Sequence, residues 1–373
     1  MLARDALTAP CVPTLDAPPL TPAGQRRWRY HRGMTLTRPL SVSTAAAPVD
    51  DGATGSPLQA RIEAFARQGR VQAGSLIVSV FGDAALPRGA RLWLGSLIRL
   101  LEPLGVNERL VRTAVYRLVR EGWLTTQARG RRTDYMLTAA GRVRFEEASR
   151  QIYAARAPRW DLRWRLLLLT GTLPARERER LRRSLYWQGY GELPGSVFVH
   201  PSADLTATLE ALQADGLGRH RAHVLPLRAE RLPLRGTAPD RDLVRQAWNL
   251  EALAQAYVTF VARYEPIGAE VQAHGEPPPE RAFLGRTLLI HDWRRLLLRD
   301  PQLPEELLPR DWPGERARQV CRRLYRLLLA PAERHLDAHL RLADGHAPAA
   351  APWLWQRFEP LDDECSLGAP RLG

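Results

Sequence analysis

The sequence contains no lysine: all 54 of its basic residues are arginine. A coding bias toward arginine inflates the overall basicity, so where the charge sits says more than its total. Cysteine is almost as scarce. Cys11, Cys321 and Cys365 lie far apart with no Cys-x-x-Cys, which excludes a disulfide framework and a cysteine-rich zinc site and suits a reducing compartment. Long apolar runs are missing too. Leu166-Leu167-Leu168-Leu169 is far short of the ~20 residues that span a bilayer, and no membrane association is expected. The first thirty residues carry charges and prolines where a signal peptide needs an apolar stretch, so the expected location is cytoplasmic. No G-x-S-x-G, G-x-G-x-x-G or P-loop pattern occurs, which leaves hydrolase, dinucleotide and nucleotide-triphosphate readings without a motif. His335-x-x-x-His339 puts two imidazoles on one helix face with Asp337 between them. The first histidine is not followed by glutamate and the surroundings are arginine-rich, so no metal site and no cofactor are expected.

What is present is an ordinary globular composition, 45% hydrophobic and 25% charged over 373 residues, room for two or three domains. The net charge of +14 is unevenly placed. Residues 71–144 hold twelve arginines against five acids, a surplus of +7 and half the total in a fifth of the chain. A concentrated basic module is the electrostatic footprint of a polyanion binder, because arginines neutralise phosphates and release counterions.

Along the chain, residues 1–68 are rich in Ala, Pro, Thr and Gly without a sustained apolar period and are expected to form a disordered extension. From Ala73 the pattern predicts a short helix ending near Gly82, a second from Leu92 to Leu101, and a third that Asn107 caps and Gly122 stops. Two extended pieces follow, Trp123–Thr126 and Thr133–Leu137, joined by an arginine-rich turn. This is the order of a winged helix-turn-helix. In the third helix Val111, Ala114, Val115 and Leu118 share an inward face. Arg109, Arg112, Thr113, Tyr116, Arg117 and Arg120 fall on the opposite stripe, with acids only at the two ends. A merely solvated face mixes signs at i,i+4. Arginine pairs bidentately with guanine, and Thr and Tyr reach phosphate or a thymine methyl. These six residues, with Arg129, Arg131 and Arg132 of the hairpin, are the candidate contacts to double-stranded DNA.

The same residues carry a family resemblance. Ser75-Leu76-Ile77-Val78, Val80-Phe81-Gly82-Asp83, Leu86-Pro87-Arg88-Gly89, Trp93-Leu94-Gly95-Ser96-Leu97-Ile98, Leu104 through Thr113, Arg117-Leu118-Val119 and Glu121-Gly122-Trp123-Leu124 resemble the opening of the PaaX family. These are repressors of bacterial phenylacetic acid degradation operons, and the likeness extends over roughly residues 70–358. It implies a homodimer that binds operator DNA and is released by a CoA thioester, phenylacetyl-CoA or similar.

Residues 164–228 read as alternating strands and helices: strand 164–170, helix 174–188, strand 196–200, helix 205–214 and strand 222–227. The resemblance implies a ferredoxin-like, Cas2-like domain. In the Cas2 nuclease the first strand ends in a metal-supporting aspartate. Here that end is Leu168-Leu169-Thr170-Gly171-Thr172, with no carboxylate to hold a metal, so a structural or dimer-forming role is expected. The remainder predicts helices over 242–264, 280–299 and 313–342. The expected fold is α+β and multidomain. It comprises a disordered extension (1–68), a winged helix-turn-helix (69–148), a Cas2-like domain (149–238), a helical C-terminal domain (239–360) and a tail (361–373). For the effector, whose phosphates need cations and whose acyl group needs an apolar cleft, the candidates are Tyr186, Trp187, Arg286, His291, Arg294 and Arg295. Core aromatics and helix surface are the plainer account of these. The alternative to a repressor is a metal-dependent nucleic-acid-processing enzyme that uses the Cas2-like domain, with Asp161 and Asp204 as its acids. A thioester-processing enzyme lacks a visible nucleophile or base.

Overall fold

The computed structural model describes residues 55–68, 73–230 and 239–359, and its first element departs from the sequence reading. Pro57–Ala66 is a helix, α1, with Pro57 in its first turn and the Ser56 hydroxyl accepting from the Gln59 amide at 3.2 Å. Leu58, Ile62 and Phe65 recur at i, i+4 and i+7, and all three are buried. Disorder over residues 1–68 is therefore wrong for 57–66. The amphipathic stripe is only ten residues long within an aperiodic extension, and its partners lie more than two hundred positions away. The Leu58 amide donates to Glu270, and Arg61 pairs with Asp292, both at 2.9 Å. Residues 1–54 and 360–373 lie outside the described residues.

Next come α2 (Ala73–Val80), a π-helical turn at Phe81–Ala85, β1 (Arg91–Trp93), α3 (Leu94–Leu101), α4 (Glu108–Arg120), β2 (Leu124–Arg129), β3 (Arg132–Leu137) and α5 (Ala139–Ile152). Helix, helix, helix and hairpin follow in the expected order. The residues expected to open the second helix, Leu92 and Trp93, are instead a strand, and it pairs antiparallel with β3 to give the sheet order β1-β3-β2. Helix α5 was not anticipated; Thr138 caps it by accepting from the Gly141 amide at 2.9 Å.

The central unit runs β4 (Arg163–Leu169), α6 (Ala175–Trp187), β5 (Gly191–Leu193), β6 (Val197–His200), α7 (Leu205–Ala214) and β7 (Val224–Glu230). Its sheet is antiparallel with order β5-β6-β4-β7, the strand order of a ferredoxin-like fold. Alternation along the strands divides the faces. Leu167 and Phe198 meet Leu181, Leu185 and Leu212 of α6 and α7. Trp164 and Val199 point the other way, toward Trp248 and the Leu303–Leu308 segment.

The last part comprises α8 (Asp240–Ala247), α9 (Glu251–His274), α10 (Pro279–Leu297) and α11 (Gly314–His339). The single helix expected over 242–264 is broken at Trp248. That residue adopts an extended backbone, packs into the central unit and donates its indole N–H to the Gly189 carbonyl at 3.0 Å. Burial of one large aromatic against a neighbouring sheet outweighs the helix propensity of three residues. The N-terminal and C-terminal helices share one continuous core that includes Phe81, Leu97, Val115, Phe283, Trp293, Tyr325 and Phe358. The chain after α11 seals it: the Ala351 amide donates to the Pro87 carbonyl at 2.8 Å and the Phe358 amide to the Tyr153 carbonyl at 3.1 Å. Among the described residues no helix is long and apolar enough to cross a membrane.

Candidate nucleic-acid interface

Helix α4 is positioned from both ends. Asn107 Oδ1 accepts from the Leu110 amide at 3.0 Å. Gly122, at φ +75°, supplies the left-handed turn that ends the helix and admits β2. Val111, Ala114, Val115 and Leu118 are buried as the spacing predicts, packed toward α2 and α3. Turning that face inward leaves Arg109, Arg112, Thr113, Tyr116, Arg117 and Arg120 exposed in one row, with Tyr116 65% exposed.

The electrostatics of this row are more mixed than the sequence reading allowed. The two terminal acids each reach an arginine four residues away, Glu108 to Arg112 at 2.6 Å and Glu121 to Arg117 at 2.7 Å. Exposed pairs of this kind are worth about 0.3–0.5 kcal/mol, so a phosphate or guanine displaces them readily. Arg109 and Arg120 have no ion-pair partner among the described residues. The Thr113 hydroxyl donates to the Arg109 carbonyl at 2.8 Å, and the residue is exposed.

Beside the helix, Arg129, Arg131 and Arg132 are exposed at the tip of the β2–β3 hairpin, whose turn uses Gly130 at φ +58°. Arg132 stacks over Trp93 at 4.7 Å, with Arg99 over the same ring at 5.3 Å. Arg129 lies 4.0 Å from Asp344 and Arg131 has no ion pair among the described residues. Two residues in from the hairpin's tip, buried Asp134 holds Arg91 at 3.0 Å and accepts from the Ala343 amide at 2.7 Å. The loop after α11 thereby braces the sheet, a contact between residues 209 positions apart that leaves no local signal.

The six effector candidates do not come together. Tyr186 and Trp187 are 70% and 57% exposed at the end of α6, in the central unit. Arg286 is a correction. It is fully buried, pairing with Asp83 at 2.9 Å and Glu333 at 2.6 Å. Burial opposes its charge, but the two carboxylates outweigh that and hold its pKa above the usual arginine value. It therefore offers nothing to a phosphate. His291 is a second correction: buried, its Nδ1 3.3 Å from the Ser79 hydroxyl, it is pushed down to about 4 chiefly by burial, and so stays neutral. Arg294 and Arg295 are half-buried on the same helix.

The buried charge around Arg286 extends further. Glu333 also holds Arg88, which reaches Asp337 at 2.6 Å, and Arg357 pairs with Asp83 at 2.9 Å while lying over the Tyr153 ring at 3.9 Å. Asp83 was the legible clue, a lone acid inside an apolar run. The acids of the enzymatic alternative are engaged elsewhere. Asp161 accepts from Arg165 at 2.6 and 2.9 Å, and Asp204 caps α7. His335 stacks on Phe283 and on His339, with ring centroids 5.3 and 4.4 Å apart.

Together these features define a class: an α+β protein carrying an arginine-studded helix and hairpin on a helical body, with a ferredoxin-like unit in the middle of the chain. Three stretches match established families: the PaaX-like protein family over residues 72–141, the PaaX protein central Cas2-like domain over 157–244 and the PaaX-like protein C-terminal domain over 248–338. The Transcriptional repressor PaaX of Escherichia coli (strain K12) is 40% identical over 299 residues, covering 79% of this chain and 92% of that protein. The solved structure of the uncharacterized protein Rv0674 from Mycobacterium tuberculosis is 26% identical, covers 64% of this chain and 88% of its own, and has a TM-score of 0.42. The chain belongs to the PaaX family.

Proposed function

We propose that this chain is a transcriptional repressor of a phenylacetate catabolic operon, a cytoplasmic regulator and not an enzyme. In this reading residues 69–148 act as a winged helix-turn-helix. Helix α4 enters the major groove, where Arg109, Arg112, Thr113, Tyr116, Arg117 and Arg120 face the bases, and Arg129, Arg131 and Arg132 of the hairpin meet phosphate or the minor groove. A homodimer reads two half-sites about one helical turn, or a multiple, apart. An aryl-acetyl-CoA such as phenylacetyl-CoA relieves repression by binding better to a form whose reading helices are misplaced. A hundredfold loss of operator affinity takes only about 2.7 kcal/mol of differential binding. The observation that carries the reading is the row of exposed arginines on α4 opposite a fully buried apolar face; the name of the Escherichia coli relative agrees with it.

The test is a gel shift across salt concentrations. Arg112→Ala and Arg117→Ala are expected to abolish specific binding with the fold retained. Replacing Arg131 is expected to flatten the slope of log affinity against log salt by about 0.9, one phosphate's worth. Wild-type affinity in both helix variants would show that α4 does not read DNA.

A further inference from the structure

Helices α2, α5 and α10 do not close completely on one another. Between them is a cavity of about 90 Å³, walled by Val78, Phe145, Ile152 and Ile290, with Trp123 beside it and Arg294 at its edge. Its lining is chiefly apolar, and on the α5 side it meets the surface where Arg144 and Ala148 are exposed. An apolar cavity remains dry and accepts apolar guests; one of about 150 Å³ takes a benzene ring.

The charge at its edge is unbalanced. Arg294 donates from Nε to the Ser79 hydroxyl at 3.2 Å, and from Nη2 to the Ser75 carbonyl and hydroxyl at 3.0 and 2.7 Å. Its Nη1 makes no hydrogen bond, and no carboxylate pairs with it, among the described residues. Burial first, and then neighbouring Arg295, lower its pKa to about 10, so it stays charged at neutral pH. The one acid on the cavity wall, Asp83, is held by Arg286 and Arg357. A half-buried guanidinium without a counterion beside an apolar hollow is chemically complementary to a small apolar group bearing an anionic or carbonyl oxygen.

We propose that this crevice is the ligand site: it takes the apolar acyl end of a small aryl or alkyl acid, free or as a thioester, with Arg294 meeting the oxygen next to it. The proposal deepens the repressor reading, and rests on it, by placing the effector. It also gives that effector a lever. A phenyl ring needs more room than about 90 Å³, so its entry moves α5 or α2 away from α10. Helix α4 packs on α2, Trp123 follows α4 directly, and α5 follows the hairpin. Displacement at the crevice therefore reaches both parts of the DNA-facing edge.

The experiment titrates the full-length chain with phenylacetate and with phenylacetyl-CoA by calorimetry. Gel shifts on a duplex recovered from random-sequence DNA are run in parallel. Ala148→Trp, which blocks the mouth from an exposed helix position, and Arg294→Gln are each expected to weaken the bound probe at least tenfold, while ligand-free DNA affinity stays within twofold. Binding of phenylacetate alone supports the free acid as ligand, and binding of the thioester alone supports the thioester. Wild-type titration by neither probe, or wild-type affinity in both variants, overturns the site. A chain that binds a probe at this crevice but selects no duplex would retain the site and sink the repressor reading. A chain that selects a duplex but binds neither probe would do the reverse.

Discussion

Two groups of arginines in this protein differ only in their surroundings, and that difference separates stability from recognition. Around α4 the guanidinium groups project from a helix whose apolar face is used up, and among the described residues their only carboxylates are exposed Glu108 and half-buried Glu121 at the helix ends. Beneath the π-helical turn, Arg88, Arg286 and Arg357 are almost wholly buried and share Asp83 and Glu333. The inner group ties α10, α11 and the chain beyond them to the N-terminal helices. The outer group is tied to almost nothing and is free to bind something else. Arginine content alone says neither.

The comparison breaks most sharply from the inside. Glu333→Ala leaves Arg88 and Arg286 short of a counterion in a buried site, a loss of about 3–5 kcal/mol, read as a lower urea midpoint in the ligand-free chain. Acid is the next lever. His291 and His200 are both lowered to about 4, chiefly by burial. Unfolded, they bind protons from about pH 6.5 downward; folded, they remain neutral to about 4. The unfolded state therefore holds more protons in that window. The stability each contributes is present above about pH 6.5 and lost as pH falls toward 4, about 3 kcal/mol apiece at full extent. Urea titrations at pH 7 and pH 4.5 measure it, and His291→Asn is expected to flatten the difference.

On the outer edge the expected effects move to a different readout. Arg109→Ala and Arg120→Ala each weaken operator binding by about 1–3 kcal/mol where they pair with a base, with no change in unfolding midpoint. Glu121→Gln, which removes the helix's own competitor for Arg117, is expected to tighten DNA binding about twofold, the value of one exposed ion pair. A shifted melting temperature in the arginine variants, or an unchanged one in Glu333→Ala, would erase the distinction between the two groups.

How far the sequence revealed this depends on distance along the chain. The face of α4 was legible because Val111, Ala114, Val115 and Leu118 repeat at helical spacing and Asn107 and Gly122 punctuate the ends. Strands β4, β6 and β7 and helices α6 and α7 are legible because each is a local pattern; β5, only three residues long, is not, and the ferredoxin-like order comes from the family resemblance. What escaped was non-local. Helix α1 is held by Glu270 and Asp292, the break at Trp248 is caused by a sheet sixty residues earlier, and β1 exists only because β3 lies beside it. Arg286 belongs with them: an arginine next to apolar residues reads alike whether it faces solvent or a carboxylate contributed from Asp83 or Glu333. Arg294 kept its place as a ligand candidate because no such carboxylate reaches it.

The segment that follows α11, residues 340–359, has a consequence for how the chain is made. The N-terminal helices leave the ribosome well before Trp293, Tyr325 and Phe358, the large side chains that complete their core. Until the last of these emerges, the nascent segment presents an open apolar flank, the condition in which chaperones engage and proteases cut. Chains released early by truncation are thus expected to be cleared rather than to linger as half-built regulators occupying promoters.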